Sequence, residues 1–227
     1  MENKKKLYIY LGLAGLVAAA IFIFWYLSRP PKVPLIDYVD PKLTQEEKQP
    51  FLDRLQKYQD ELNTLSADAP KAQKFQLLLS IASEYYPIGE YKKSFDTYIL
   101  ASALFPEEPV PYYSMAYIAE QRGDYASARF NYRKAIEKSP DYGLYWRALI
   151  EFERDRYSAS PETLDTMFKD ALSKTNKDIN VVTLYAQFLE GQGKVAEAVE
   201  QWQEALGQRP DYADLYQQEI DRLQPKK

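Results

Sequence analysis

The chain has 227 residues, with 29 lysines and arginines, 33 aspartates and glutamates, no cysteine and no histidine. The missing residue types are the commonest nucleophiles, general bases and soft metal ligands in proteins, so we predict no enzyme, no cofactor and no metal site. Residues 1–32 carry a net charge of +4, which leaves −8 for the rest of a chain whose total is −4. Phosphates repel such an acidic domain, so we predict no nucleic-acid partner.

The N-terminal region contains an uncharged run from Leu7 to Leu27. As a helix, these 21 residues would span about 31 Å, the thickness of a bilayer core. Tyrosine and tryptophan lie near both ends of the run, as in interfacial aromatic belts. We therefore predict a single transmembrane anchor over residues 1–27, in contact with the lipid bilayer through residues 7–27.

A cleaved signal peptide is the main alternative to an anchor, since lysines precede the apolar run and Ala18–Ala20 resembles a cleavage region. However, Ile21–Trp25 stays apolar beyond that region, and we favour the retained anchor. Three lysines precede the run, and Arg29 and Lys32 follow it. This excess predicts a cytoplasmic N-terminus and an extracytoplasmic domain, in a periplasm or on an outer cell surface.

Residues 28–44 contain four prolines and no glycine, which predicts an extended stalk on the order of 45 Å long. The alternative is that Asp37–Asp40 docks on the folded domain. Residues 45–69 are predicted to form an N-terminal capping helix, because apolar side chains recur at helical spacing between Gln49 and Leu65. A turn then follows, and the next helix is predicted to begin at Pro70.

Two stretches of the chain coincide at an offset of 34 residues. The coinciding pairs are Ala82 and Ala116, Gly89 and Gly123, Tyr91 and Tyr125, Ser94 and Ala128, Tyr98 and Tyr132, Ala101 and Ala135, and Pro106 and Pro140. Small residues let two helices approach closely, glycine supplies the turn between them, and proline stops the second helix. Such a period predicts stacked helical hairpins, with the repeated tyrosines as core residues.

These positions resemble the tetratricopeptide repeat family. A third copy is equally complete: Val182, Ala186, Gly193, Val195, Ala198, Trp202, Ala205 and Pro210. Between the second and third copies lies a degenerate unit, in which Tyr157–Pro161 replaces the glycine turn with two extra residues. The resemblance implies an all-α solenoid over residues 70–224. Its repeats would be 75–108, 109–142, 143–178 and 179–212, with a C-terminal capping helix over 211–224.

In the family, certain positions of the first helices line a groove that binds partner proteins. Carried over to this chain, the resemblance implies a partner-binding groove that mixes aromatic, polar and charged side chains. Its residues are Leu79, Tyr86, Tyr113, Tyr117, Arg147, Glu151, Arg154, Thr183 and Gln187. Carboxylate runs such as Glu151-Phe152-Glu153 are interpreted as solvated surface charge.

The sequence therefore predicts a membrane-anchored scaffold for protein–protein interactions, acting as an assembly or accessory subunit of an envelope complex. The alternative is a binder of an envelope polymer, peptidoglycan or glycan, through the aromatic groove.

Overall fold

The computed structural model describes residues 35–224, and this part of the chain is helical without any strand. Its ten α-helices are α1 (Gln45–Asn63), α2 (Lys71–Tyr85), α3 (Tyr91–Leu104), α4 (Pro109–Gln121), α5 (Tyr125–Lys138), α6 (Gly143–Tyr157), α7 (Pro161–Lys174), α8 (Ile179–Gly191), α9 (Val195–Gln208) and α10 (Ala213–Leu223). A short 3₁₀ helix, Pro210–Tyr212, precedes α10.

The helices pack as four successive hairpins, α2–α3, α4–α5, α6–α7 and α8–α9. Helix α1 covers the first hairpin through α2, and α10 covers the last through α9. This arrangement confirms the predicted all-α solenoid. None of the helices within residues 35–224 is both long and apolar enough to cross a membrane, and the predicted anchor lies outside the described residues.

Small residues occupy the helix contacts, as the repeat predicts. Ala82, Ala116 and Ala186 have no exposed surface, and neither do the matching alanines of the second helices, Ala101 and Ala135. The turn glycines all have positive φ: +83° at Gly89, +77° at Gly123 and +72° at Gly193. A residue with a Cβ is strained in that conformation, which explains glycine at the turns.

Helix α1 begins at Gln45, the first residue of the predicted capping segment 45–69, and ends at Asn63. The side chain of Thr44 accepts from the backbone N–H of Glu47, and the Glu47 carboxylate accepts from the backbone N–H of Thr44. This capping box satisfies two N–H groups that would otherwise lack partners at the helix start. It therefore places Pro50 inside the helix rather than in its first turn.

The third hairpin departs from the regular repeat. Ser158 ends α6 in the left-handed conformation, at φ 48°, where the other turns have glycine. Helices α6 and α7 contact each other much less extensively than the helices of the other three hairpins do. The prediction of a solvated Glu153 is wrong, because its side chain is buried and only 1% of the residue is exposed.

Pairing with the Arg129 guanidinium explains how the Glu153 carboxylate can be buried. Arg129 of α5 donates from Nε and Nη2 to the two Glu153 oxygens, at 2.5 and 2.8 Å. Bidentate pairing of this kind compensates a buried carboxylate for its lost water.

The prediction that Tyr125 is a core residue is also wrong, since 39% of it is exposed at the start of α5.

Residues Leu35–Asp40, which we call the strap, lie across the turns of the first two hairpins. The Ile36 N–H donates to the Arg122 carbonyl, and the Val39 N–H donates to the Gly89 carbonyl, both at 3.0 Å. The Lys92 N–H donates to the Asp37 carbonyl at 3.0 Å. This part of the predicted stalk therefore contacts the solenoid, as in the docking alternative.

The strap provides hydrogen-bond partners for backbone N–H and carbonyl groups at helix ends. Lys92 lies in the first turn of α3, whose N-terminus has no side-chain cap, and Arg122 ends α4. The Arg122 guanidinium also donates from Nη2 to Asp37 Oδ1 at 2.6 Å and lies over the Phe95 ring. Side chains and backbone thus hold the strap on both turns.

Ala116→Leu tests the helix contacts. We expect it to destabilise the protein by about 1–3 kcal/mol, because Ala116 has no exposed surface and a larger side chain overpacks the contact. Ala196→Leu, the same change at an exposed position of α9, is the control and should be nearly neutral. Urea unfolding of a fragment beginning at Val33 measures both, and equal midpoints would contradict the predicted packing.

Gly89→Ala tests the strap, with Gly123→Ala as its matched control. Both substitutions place a Cβ at positive φ, which costs about 1 kcal/mol. Only at Gly89 would that Cβ meet the strap, 1.8 Å from the Val39 carbonyl oxygen; at Gly123 nothing lies within 4 Å. We expect faster hydrogen exchange at the Val39 and Lys92 amides in Gly89→Ala alone. Equal exchange in the two variants would argue against the docked strap.

Candidate functional site

The tyrosine pocket is an open cavity of about 290 Å³ between the first and second hairpins. Its lining residues come from α2, α3 and α4 and are mostly aromatic or hydroxyl-bearing: Ser83, Tyr86, Tyr98, Tyr113, Ser114, Tyr117 and Ile118. Three of the predicted groove residues, Tyr86, Tyr113 and Tyr117, therefore meet at one cavity. Tyr98, predicted only as a core residue, contributes to the same lining.

Helical spacing explains this convergence. Tyr113 and Tyr117 are four residues apart on α4 and so share one face. Tyr86 follows α2 immediately, and its ring centroid lies 5.4 Å from that of Tyr117. On its other side Tyr86 stacks on Tyr91, at 5.0 Å and an interplanar angle of 9°. Tyr117 is the most accessible of the three, with 43% of its surface exposed.

The pKa values of Tyr86 and Tyr113 are raised above the ordinary value of tyrosine. Burial raises the pKa of Tyr86, and the neighbouring Tyr117 raises it further. Burial is also the main cause of the raised pKa of Tyr113. A phenol with a raised pKa stays protonated at physiological pH. The pocket therefore offers ring faces and hydroxyl groups rather than phenolate charge.

The aromatic surface continues into the third hairpin. The Tyr113 ring lies 5.1 Å from Tyr145, whose ring lies 4.8 Å from Tyr142. The sequence interpretation did not include Tyr142 and Tyr145 in the groove, because neither falls at one of the family's groove positions. The aromatic cluster Tyr142, Tyr145 and Trp146 at the start of α6 is the signal that could have found them.

The predicted groove charges are paired with each other or with neighbours. Arg147 Nε donates to Glu151 Oε1 at 3.2 Å along α6, and Arg154 pairs with Asp155 at 2.7 Å. After burial, which is the main cause of the raised Tyr113 pKa, Glu151 raises that pKa and Arg147 lowers it. A ligand would thus meet a nearly neutral Arg147–Glu151 pair rather than a free cation.

The remaining predicted groove residues do not line the tyrosine pocket. Leu79 is partly buried and packs against the core around Phe75 and Ala82. The Thr183 hydroxyl donates to the Ile179 carbonyl within α8 at 2.8 Å, and Gln187 is exposed on the same helix. The structure thus gathers the aromatic members of the set and leaves the α8 members apart.

No group of three or more acidic, histidine or cysteine side chains in residues 35–224 is placed to hold a metal ion. The chemistry of the pocket is that of aromatic faces and hydroxyl groups, which suits reversible binding.

Residues 109–152, which include α4, α5 and the first part of α6, match the family model described as tetratricopeptide repeat. This stretch is therefore similar to a tetratricopeptide repeat. It contains the predicted second unit, with Ala116 at a helix contact and Gly123 in the turn. No curated protein matches the chain.

Solved structures of similar fold extend the likeness to most of the solenoid. The crystal structure of MamA is 18% identical, covers 75% of this chain and 95% of its own, and has a TM-score of 0.55. A tetratricopeptide repeat protein of Parabacteroides merdae is 12% identical, with coverages of 78% and 70% and a TM-score of 0.54. A thermophilic TPR protein of Thermus thermophilus is 15% identical, with coverages of 76% and 90% and a TM-score of 0.51. At these identities the likeness shows the tetratricopeptide fold.

Proposed function

We propose that the protein is a membrane-anchored tetratricopeptide scaffold that binds partner proteins as an assembly or accessory subunit of a bacterial envelope complex. The observation that carries the binding role is the tyrosine pocket, an open cavity that presents aromatic faces and hydroxyl groups between two hairpins. Tyrosine is among the residues enriched at the energetically dominant positions of protein interfaces. The tetratricopeptide fold supports the same role.

The anchoring role derives from the uncharged run Leu7–Leu27. Only eight residues separate Leu27 from Ile36, the first strap residue that donates to the solenoid. A chain of that length reaches at most about 30 Å. In this proposal, these eight residues are a short tether between the anchor and the solenoid.

A second candidate is binding of an envelope polymer, peptidoglycan or glycan. The same pocket favours it, because exposed tyrosine rings suit stacking on sugar rings and their hydroxyl groups suit hydrogen bonds to sugars. The two candidate functions differ in the ligand that the tyrosine pocket should bind. Purified peptidoglycan sedimented with the protein should carry it down only if the polymer is the ligand.

The double variant Tyr113→Ala/Tyr117→Ala tests the proposed groove. Removing a dominant interface aromatic costs about 2 kcal/mol or more, roughly a thirtyfold loss of affinity. We expect pull-downs from solubilised membranes to lose the partners that wild type recovers. Arg147→Ala should weaken capture less, since Glu151 already pairs with that side chain.

The pull-down needs a control for folding and for non-specific loss. Tyr212→Phe, at an exposed position next to α10, should recover the same partners as wild type. Unaltered melting of each variant separates lost binding from lost structure. If the double variant captures the same proteins in the same yield, the tyrosine pocket is not the binding surface.

The orientation of the anchor is tested by fusing, after Lys227, a reporter that is active only outside the cytoplasm. We expect activity, because Lys4–Lys6 outnumber Arg29 and Lys32 across the apolar run. Replacing the three lysines with glutamine should produce a mixture of orientations. Activity confined to a cytoplasmic reporter would overturn the extracytoplasmic localisation.

A further inference from the structure

The irregular third hairpin leaves a second groove, on the side of the solenoid formed by the second helices. Because α7 packs loosely on α6, an open cavity of about 300 Å³ lies between α5 and α7. Its floor is Trp146, Leu149 and Glu153 of α6, and its walls are Arg129 and Arg133 of α5 and Met167 of α7. We call this cavity the α5–α7 groove.

An exposed aromatic residue adjoins this groove. Phe130 lies in α5 between the two arginines and has 59% of its surface exposed. It lines a neighbouring hollow of about 330 Å³ that includes the same two arginines and Lys134. Phe130 precedes Tyr132 by two residues, a rotation of about 200° round the helix. It therefore faces away from the side of α5 that packs toward Tyr113 in the tyrosine pocket.

The charges around the α5–α7 groove leave one cation in excess. The two Glu153 oxygens already accept both donors of Arg129. Arg133 reaches the same carboxylate only at 3.4 Å, and 60% of its side chain is exposed. Lys134 pairs with Glu137 at 2.7 Å. Three cations thus share two carboxylates, on a protein whose net charge is negative.

We propose that the α5–α7 groove is a second docking surface, for a segment of a partner protein that carries an apolar side chain next to an aspartate or glutamate. The apolar side chain would contact Trp146, Met167 and the Phe130 ring. The carboxylate would accept from Arg133, whose planar guanidinium can bond both oxygens of a carboxylate. A segment that lacks an apolar side chain, or whose only charged side chains are basic, would not meet both requirements. This surface is independent of the tyrosine pocket.

A random dodecapeptide library, displayed on phage and selected on the full chain in lipid nanodiscs, tests this proposal. We expect the selected peptides to place aspartate or glutamate beside leucine, phenylalanine, methionine or tryptophan. Synthetic copies should bind Arg133→Glu and Phe130→Ala about tenfold or more weakly than wild type, as expected for hot-spot side chains. Phe130→Ala removes an exposed side chain and should melt like wild type. Arg133→Glu places a second carboxylate near the buried Glu153, so it is paired with Arg133→Gln, which should weaken peptide binding without that repulsion.

Matched controls separate this groove from general surface effects. Lys57→Glu reverses an exposed charge on α1, and Leu215→Ala removes an exposed apolar side chain from α10. Both should bind the peptides as wild type does, and so should Tyr117→Ala. Selected peptides without acidic residues, or equal affinities for wild type and Arg133→Glu, would overturn the proposal. So would a loss of binding confined to Tyr117→Ala, which would place the peptides in the tyrosine pocket.

A photoreactive benzoylphenylalanine in place of Phe130 gives a readout in native membranes. The proposal requires crosslinks to a protein whose crosslinked segment contains an acidic residue next to an apolar one. Crosslinks only to lipid, or only to a second copy of this chain, would contradict it, since each would assign the exposed Phe130 to a different contact.

Discussion

The solenoid depends on the close approach of two helices at alanines that have no exposed surface. Ala82, Ala116 and Ala186 allow that approach in three hairpins, and a glycine at positive φ makes each following turn. These contacts set the orientation of the first helix of each hairpin. In α4, they turn the tyrosines near the contact alanine toward one cavity. The tyrosine pocket is therefore a consequence of the small-residue contacts, since Tyr113 and Tyr117 flank Ala116 on α4.

The third hairpin shows what happens when that constraint is relaxed. Ile150 stands where the other repeats have alanine, and the turn lacks glycine. Helix α7 then packs less closely on α6, and Arg129 from the preceding hairpin reaches Glu153. Glu153 stands where the second and last hairpins have the buried Ala119 and Leu189, and its carboxylate is buried there too, paired with that arginine. The same loosening opens the α5–α7 groove.

The strap makes further hydrogen bonds and an ion pair with the turns of the first two hairpins. It places carbonyl and N–H groups where α3 begins and α4 ends, and Asp37 pairs with an Arg122 that is otherwise buried. Gly89 is therefore constrained twice, by its own positive φ and by the carbonyl of Val39. Gly123 has only the first constraint.

Local spacing and turn chemistry are enough to predict the helical hairpins, their register and the buried alanines. The repeat positions also predicted that Tyr86, Tyr113 and Tyr117 share one surface, and the structure brings these three side chains to one cavity. The burial of Glu153, the contribution of Tyr142 and Tyr145 to the aromatic surface, and the docking of the strap on the solenoid are seen only in the folded structure. Each of these depends on residues far apart in the chain: Asp37 and Arg122 are 85 positions apart. A local pattern carries no information about such pairings, because they arise only when the hairpins stack.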